Sequence, residues 1–267
     1  LESAASTCGI ECAIHIKIDT GMMRIGVRWN EFYDFADRLS ACKHLRVEGV
    51  MTHFAAADDL AETAFTDEQM RRFDECVERL LAHGIMPEII DLANSPGAVG
   101  HPSARRQMVR LGGILYGLGG DVLPKEVEKP LLRAVMSLRS KVAMIKRVSA
   151  GESIGYSRTF VAERDMTIAV IPIGYADGLP RGLSSTGNML IRGVVAPIVG
   201  RVSMDWAVID VTDIVDAEAG DEVTFIGNDR SNSIKAEDIA AITDTISYEI
   251  TCGIAPRVKR SFIGGTL

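Results

Sequence analysis

Long apolar runs, blocks of basic residues and metal-binding cysteine patterns are all missing from this 267-residue sequence. The longest apolar run, from Thr167 to Gly174, has the length of a strand and is interrupted by Pro172, so no membrane-spanning helix is predicted. The opening residues lack the basic and apolar segments of a signal peptide. The formal net charge is -7 without a stripe of Lys or Arg, which argues against a nucleic-acid partner.

Cysteines are few and scattered, and none of them forms a Cys-x-x-Cys pair. The count of five is odd, so we expect reduced thiols, a cytoplasmic location and no metal site. Hydrophobic residues make up 47% and charged residues 24%, which is the balance of a globular protein.

Strand and helix signals alternate in residues 1–131. Between the predicted strands lie one helix capped by Asn30 and another that begins with a capping box of Thr66 and Gln69. This alternation predicts parallel βαβ units. Four strands do not close an eight-stranded barrel, so an open doubly wound sheet remains an alternative. The predicted strands cover residues 13–18, 47–51, 88–92 and 109–116.

Residues 132–267 are predicted to form a separate, mostly β domain, because strand signals follow one another there with little helix between them. The linker is placed at residues 119–130, which contain glycines, prolines and charges. One helix is predicted near residues 234–242. The predicted strands cover residues 134–148, 167–174, 189–192, 195–199, 206–211 and 222–226.

Polar side chains lie at the carboxyl ends of the predicted strands in the first half, where parallel sheets and barrels place their sites. Lys17 lies near the end of the first strand, His53 ends the second, and Arg110 begins the fourth. A buried lysine needs a partner or a changed charge state. A lone histidine at a strand end, however, is more often structural than catalytic.

Two features after the third strand suggest a phosphorylated ligand. Ser95 before Pro96 is typical of an N-cap followed by a first helical turn, whose free N–H groups hold phosphate. Gly112 and Gly113 allow backbone amides to approach an anion closely. Taken singly, each feature is also explained by ordinary capping or turn chemistry.

In the second half, Tyr156 follows a turn that contains Gly155. A tyrosine acts as a base near neutral pH only when a cationic neighbour lowers its pKa, and a surface or core aromatic is the alternative. Residues 174–178 are equally consistent with a simple turn, and residues 201–205 with an ordinary strand entrance.

Taken together and in this order, these segments resemble the alanine racemase family. Each match alone is weak, but the ordered set is specific. The resemblance implies an isomerase of fold type III that depends on pyridoxal 5'-phosphate and interconverts L-alanine and D-alanine, which supplies D-alanine for peptidoglycan. It also implies a (β/α)8 TIM barrel followed by a β domain, and a homodimer with shared active sites. The matching segments are KIDTGMMRIG at 17–26, THFA at 52–55, ANS at 93–95, VRLG at 109–112 with YG at 116–117, GY at 155–156, IGYADG at 173–178 and GRVSMD at 200–205.

The resemblance also implies roles for single residues. Tyr156 matches the tyrosine base, Arg110 the donor to the pyridine nitrogen, and His53 a residue that orients the base. Lys17 matches a lysine that is carbamylated in some members. Further cofactor-binding matches are Asn94, Ser95, Gly112 and Gly113, and the substrate-binding matches are Arg24, Tyr175, Met204 and Asp205.

The sequence departs from the family pattern in two places. The family's cofactor lysine lies near the N-terminus in a motif like Val-Lys-Ala-Asp-Ala-Tyr-Gly, which does not occur here. We therefore expect a fragment: residues 1–131 form only the C-terminal part of the barrel, and activity requires the missing N-terminal part. Pro256 stands where many members have a tyrosine that donates to the phosphate. The alternatives are a racemase for serine or other small amino acids, and a non-catalytic cofactor-binding remnant.

Overall fold

The computed structural model describes residues 1–264. They form two compact units, each around its own hydrophobic core. The first unit comprises residues 1–115 and 122–131, and the second comprises residues 116–121 with the described residues after Leu131. The expected linker at 119–130 is thus divided between the two units. Among the described residues, no helix has the length and apolarity needed to cross a membrane, and all five cysteines are free thiols.

A parallel four-stranded sheet forms the centre of the first unit, as the alternation of strands and helices predicts. Its strands lie in the order β2-β1-β3-β4. Their bounds are β1 Cys12–Asp19, β2 Val27–Arg28, β3 Leu45–Met51 and β4 Ile89–Asp91, and the helices of this unit are α1 Glu2–Cys8, α2 Phe32–Ser40, α3 Thr63–Ala82 and α4 Ser95–Gly100.

The helices of the first unit bury apolar residues at helical spacing against the sheet. Helix α2 buries Phe32, Ala36 and Leu39, which lie on one face of the helix. Its start differs from the prediction, because residues 29–31 form a 3-10 turn and no side chain, including that of Asn30, caps the helix. Helix α3 adds buried apolar side chains at Met70, Phe73, Cys76 and Leu80.

The predicted capping box at Thr66 and Gln69 is wrong. Both residues lie inside α3 and are fully buried, because the helix already begins at Thr63. A 3-10 turn at residues 60–62, capped by the carboxylate of Asp59, precedes it. The sequence pattern therefore marked two buried polar residues rather than a helix end.

The predicted fourth strand at residues 109–116 is also wrong. Met108 forms an isolated parallel bridge with Asp91, and residues 113–116 form a 3-10 turn. The strand does not develop because the backbone N–H groups of Arg110 and Gly112 bind Ala93 and the Ser95 hydroxyl instead of a strand ladder.

The second unit is mostly β, as predicted, and its strands pair antiparallel. A five-stranded sheet contains β5, β10, β11, β13 and β14, and a three-stranded sheet contains β6, β9 and β12. Helix α5 confirms the helix predicted near 234–242, whereas α6 was not predicted. The bounds are β5 Leu138–Lys141, β6 Met144–Val148, β7 Ser153–Ile154, β8 Phe160–Val161, β9 Met166–Ile171, β10 Asn188–Ile191, β11 Val194–Pro197, β12 Ala207–Asp210, β13 Glu222–Asp229, β14 Asn232–Ile234, α5 Ala236–Thr243 and α6 Ser247–Cys252.

The segment 134–148, predicted as one strand, contains two strands that belong to different sheets. Strand β5 pairs with β13, and β6 pairs with β9. Val142 lies between them and exchanges backbone hydrogen bonds with the turn at residues 220–221. The chain passes from one sheet to the other at this residue, which a run of apolar residues alone does not reveal.

Candidate active site

Three charged or polar side chains meet at the carboxyl ends of β3 and β4 in the first unit. Nη2 of Arg110 donates to the carbonyl of Thr52 at 2.9 Å and lies 3.4 Å from Nδ1 of His53. Nη1 of the same guanidinium lies 2.5 Å from Oδ2 of Asp91. Arg110, His53 and Asp91 therefore form one contiguous polar cluster, and Arg110 contacts both of the others.

Asp91 was not among the predicted site residues. It is the last residue of β4, and its side chain has 0% exposure. Carboxylates are almost never fully buried unless they are paired. The sequence contains a signal, since Asp91 stands within the otherwise apolar segment 89–92. A polar residue at a strand end is not recognised as a site residue, however, until its partner is known.

His53 is held in its neutral form by its surroundings. Burial and the positive charges of Arg110, Lys17 and Arg24 lower the pKa of the imidazole to about 4. A neutral imidazole can accept a hydrogen bond at Nδ1 from the neighbouring guanidinium while its other nitrogen donates elsewhere. His53 can therefore orient a neighbouring group but does not carry charge near neutral pH.

Lys17, near the end of β1, is half-buried in the same cationic surroundings. Burial and the charges of Arg110 and Arg24 lower the pKa of its amine to about 8, although Asp19 and Asp91 act in the opposite direction. The Asp19 carboxylate also accepts the backbone N–H groups of Gly21 and Met23, at 3.0 Å each. About a tenth of the Lys17 amine is therefore neutral at pH 7, and this neutral form is nucleophilic.

A buried hydrogen-bond network fixes the segment that carries His53. Nε2 of Gln69 donates to the carbonyl of His53 at 3.1 Å and to the hydroxyl of Thr20 at 3.0 Å. Oε1 of Gln69 accepts the backbone N–H of Ala55 at 2.9 Å, and the hydroxyls of Thr20 and Thr52 are 2.7 Å apart. Gln69, predicted as part of a helix cap, instead holds the backbone of residues 53–55.

The two predicted phosphate-binding features lie side by side. The backbone N–H of Gly112 donates to the hydroxyl of Ser95 at 2.9 Å. The residue that caps α4 is Asn94, whose side chain accepts the N–H of Gly97 at 3.0 Å, so the expectation that Ser95 is the N-cap is wrong. A Cβ atom on Gly112 would meet only the Ser95 hydroxyl within 4 Å, which leaves open space beside the backbone. Gly113 begins the following 3-10 turn.

The predicted residues of the second unit lie at its surface. Tyr156 opens a 3-10 turn, its side chain is 69% exposed, and its hydroxyl has no hydrogen-bond partner among residues 1–264. Gly155 precedes it with φ of 75°, and a Cβ there would lie 3.1 Å from the backbone nitrogen of Arg201. This close approach sets the turn beside the segment that leads to Met204 and Asp205.

Segment 174–178 packs directly on segment 203–205 within the second unit. Tyr175 donates its backbone N–H to Ser203, and a Cβ on Gly174 would lie 2.3 Å from the carbonyl oxygen of Met204. Tyr175 and Met204 are about half exposed. Tyr175, Met204 and Asp205 therefore lie on adjoining loops.

Arg257, which the sequence-based prediction did not include, joins these loops. Its guanidinium binds Asp177 through Nε and Asp205 through Nη2, at 2.7 Å each. Both bonds are charge-assisted, and the planar fork of an arginine suits two carboxylates on different segments. Pro256, the residue that departs from the family pattern, immediately precedes it and is exposed.

Comparisons with known proteins agree across nearly the whole chain. Residues 1–119 match the model of the N-terminal domain of alanine racemase, and residues 135–262 match that of its C-terminal domain. The alanine racemase of Geobacter sulfurreducens is 41% identical over 100% of this chain and 70% of its own length. The crystal structure of the alanine racemase of Streptomyces lavendulae has a TM-score of 0.91 at 33% identity, with 99% of this chain and 70% of that chain covered. A Bartonella henselae alanine racemase, solved with covalently bound pyridoxal phosphate, has a TM-score of 0.84 at 30% identity. The match covers 98% of this chain and 69% of the Bartonella chain.

Proposed function

The chain belongs to the alanine racemase family, and on that premise we propose that it interconverts L-alanine and D-alanine with bound pyridoxal 5'-phosphate. One observation carries the proposal in this chain: the contiguous cluster of Arg110, His53 and Asp91 beside the Ser95 hydroxyl and the backbone of Gly112. Such a cluster offers a fixed cation and open backbone to an anionic, ring-containing ligand.

The residues of this chain suit two parts of the cofactor, its pyridine ring and its phosphate group. The Arg110 guanidinium is assigned to the pyridine nitrogen, and Ser95, Gly112, Gly113 and Asn94 to the phosphate. When bound, the cofactor supplies an electron sink for the negative charge that develops at the substrate Cα. Because an arginine stays protonated, Arg110 keeps a proton off the ring nitrogen, which moderates that sink and limits side reactions.

Tyr156 is assigned as one of two bases that act on opposite faces of the substrate Cα. An exposed phenol needs a cationic neighbour before it can take a proton near neutral pH. We assign the surface of Tyr156, Tyr175, Met204 and Asp205 to the active site of a second copy of the chain, in a homodimer with shared sites. His53 orients the phenol of that second copy, and Arg24 faces either the carboxylate of the amino acid or the phenolic oxygen of the cofactor.

The second base is a lysine that also holds the cofactor, and no segment of the 267 residues contains the family's motif for it. The chain spans about 70% of the length of its relatives. We therefore assign the four-stranded sheet to the C-terminal part of a (β/α)8 barrel and the lysine to an N-terminal piece outside these 267 residues. The test compares L- to D-alanine conversion with and without that piece, supplied as a second polypeptide. Activity without it would overturn this assignment, and no activity with it would overturn the proposed function.

Lys17 is proposed to react with carbon dioxide. Only the neutral amine attacks carbon dioxide, and a pKa of about 8 supplies that form near neutral pH. The attack forms an N–C bond and releases one proton to solvent, and the resulting carbamate is an anion among Arg110 and Arg24, where it would fix an arginine. Native mass spectrometry in bicarbonate buffer should detect one added carbon dioxide that is absent from Lys17→Met. Equal mass gain in both proteins would contradict this assignment.

Pro256 motivates a second candidate, a racemase for serine or other small amino acids. A hydroxyl that many relatives direct at the phosphate is replaced there by a ring without a donor. Competition between alanine and serine at equal concentration, in wild type and in Pro256→Tyr, separates the two activities. A preference for alanine that is identical in both proteins would remove the support for this candidate.

The missing lysine motif motivates a non-catalytic remnant that still binds the cofactor. Such a protein would retain pyridoxal phosphate, but borohydride would not fix the cofactor to any of its lysines. Borohydride labelling of one lysine of this chain, located by peptide mapping, would exclude the remnant and also the assignment of the lysine to a piece outside this chain.

A further inference from the structure

Asp91 is the most enclosed charged side chain of the candidate active site. It has 0% exposure, and neither carboxylate oxygen has a hydrogen-bond donor among the described residues apart from its ion pair with Arg110. A buried carboxylate is strongly destabilising without a counter-charge. Arg110, 2.5 Å away, is the group that supplies this charge.

The same guanidinium is held at its other end by uncharged groups. Nη2 donates to the Thr52 carbonyl at 2.9 Å and approaches Nδ1 of His53 at 3.4 Å. An arginine side chain has many rotamers, and a carboxylate fixes the planar fork in one of them. Asp91 on one amino group therefore determines where the other one points.

The surroundings of the pair contain two further cations, Lys17 and Arg24, and one further carboxylate, Asp19. Lys17 and Arg24 both act on His53 in addition to Arg110, and Asp91 opposes this charge at Lys17. The repulsion among these cations would move Arg110 away from His53 if nothing held it there. Asp91 is therefore placed to offset that repulsion.

We propose that Asp91 is a positioning residue whose buried carboxylate holds the Arg110 guanidinium against His53 and directs it toward the ligand. The proposal deepens the proposed function, because Arg110 is the residue assigned there to the pyridine nitrogen. The ion pair itself does not depend on the cofactor. Its test can therefore be made on the cofactor-free chain.

The direction in which the pKa of His53 changes in Asp91→Asn distinguishes the two roles that Asp91 can have. If Arg110 is released, His53 loses the nearest positive charge and its pKa rises from about 4 toward the ordinary 6.5. If Arg110 stays in place, the loss of a nearby negative charge lowers the pKa further. Proton NMR titration of the histidine rings measures this value, with the His53 signal assigned from His53→Gln.

The expected result is a rise of about 1 or more in the pKa of His53, a tenfold or greater gain in its proton affinity. A fall or no change in the pKa would overturn the proposal. Asp74→Asn is the matched control, because Asp74 forms an ion pair with Arg106 at 3.1 Å on the exposed surface of the same unit. It should leave the His53 titration unchanged.

Asp91→Asn leaves a buried cation, so the single variant can fail to fold. The double variant Asp91→Asn with Arg110→Gln contains neither charge, and recovery of cooperative urea unfolding in it supports the ion pair. A double variant no more stable than Asp91→Asn alone would overturn the proposal. Racemase activity enters none of these readouts, so an inactive wild-type protein would count against the proposed function alone.

Discussion

The two units hold their candidate functional residues in opposite ways. In the first unit, Asp91 is fully buried, and Arg110 and His53 are partly enclosed and bonded to one another. In the second unit, Tyr156 and Met204 stand 69% and 54% exposed at the ends of turns. The first group of side chains is bonded within its own unit, whereas the second group is exposed on turns and loops. Substitutions should therefore change charge states and stability in the first unit, but mainly activity in the second.

The largest effect expected from this comparison is that of Tyr156→Phe on turnover. Removal of a positioned base lowers kcat by about 100- to 10,000-fold. The hydroxyl has no partner among the described residues, so the free energy of unfolding should change by less than about 0.5 kcal/mol. Steady-state kinetics and urea unfolding measure the two quantities in the full protein loaded with cofactor.

Tyr33→Phe serves as the control for that experiment. Tyr33 is 50% exposed on α2, lies under the Arg79 guanidinium and is not one of the candidate site residues. It should leave kcat unchanged. A Tyr156→Phe variant that loses stability but keeps its turnover would reverse the expected contrast between the units.

A second effect, of about 2 kcal/mol, should appear in the acid stability of the first unit. The pKa of His53 is about 4 in the folded chain and about 6.5 when unfolded, so the unfolded state binds more protons between these values. Stability should therefore fall as the pH falls from 6.5 to 4. The magnitude is discounted for the partial exposure of the ring.

His53→Gln should remove this part of the acid sensitivity, and His15→Gln, at an exposed histidine of β1, should not. Urea unfolding at pH 4, 5, 6 and 7 gives the comparison. If the free energy of unfolding depends on pH in the same way in wild type and His53→Gln, the neighbouring cations do not disfavour protonation of His53 in the folded protein.

The difference between the units also explains which features could be predicted from the sequence. Helical and strand periodicity predicted parallel βαβ units in the first half and a mostly β second half, because burial of one face leaves a regular pattern. The ordered motifs predicted Lys17, His53 and Arg110; the first two lie at or next to strand ends, whereas Arg110 follows an isolated bridge at Met108. Residues 109–116 were predicted as a strand because apolar side chains alone do not reveal that their backbone groups bind elsewhere.

Residues that act through another residue were not found from the sequence. The role of each such residue depends on a partner that is distant in the sequence. Asp91 pairs with Arg110, 19 positions away, Gln69 with His53, 16 positions away, and Arg257 with Asp205, 52 positions away. No local pattern encodes such a partner, and Gln69 was interpreted as part of a helix cap for that reason. Long-range pairing of this kind requires the fold.

The smallest expected effect concerns Arg257 in the second unit. Arg257→Gln breaks both charge-assisted bonds to Asp177 and Asp205, which frees the loop that carries Met204. Exposed ion pairs contribute little to stability, so the unfolding curve should not move measurably. If that loop contacts substrate, KM should rise about three- to tenfold while kcat stays near the wild-type value, since only uniform binding is lost. Arg164→Gln, which breaks the exposed pair with Asp213 in the same unit, is the matched control and should change neither constant. A drop in kcat without a change in KM would place Arg257 closer to the chemistry than the contrast between the units allows.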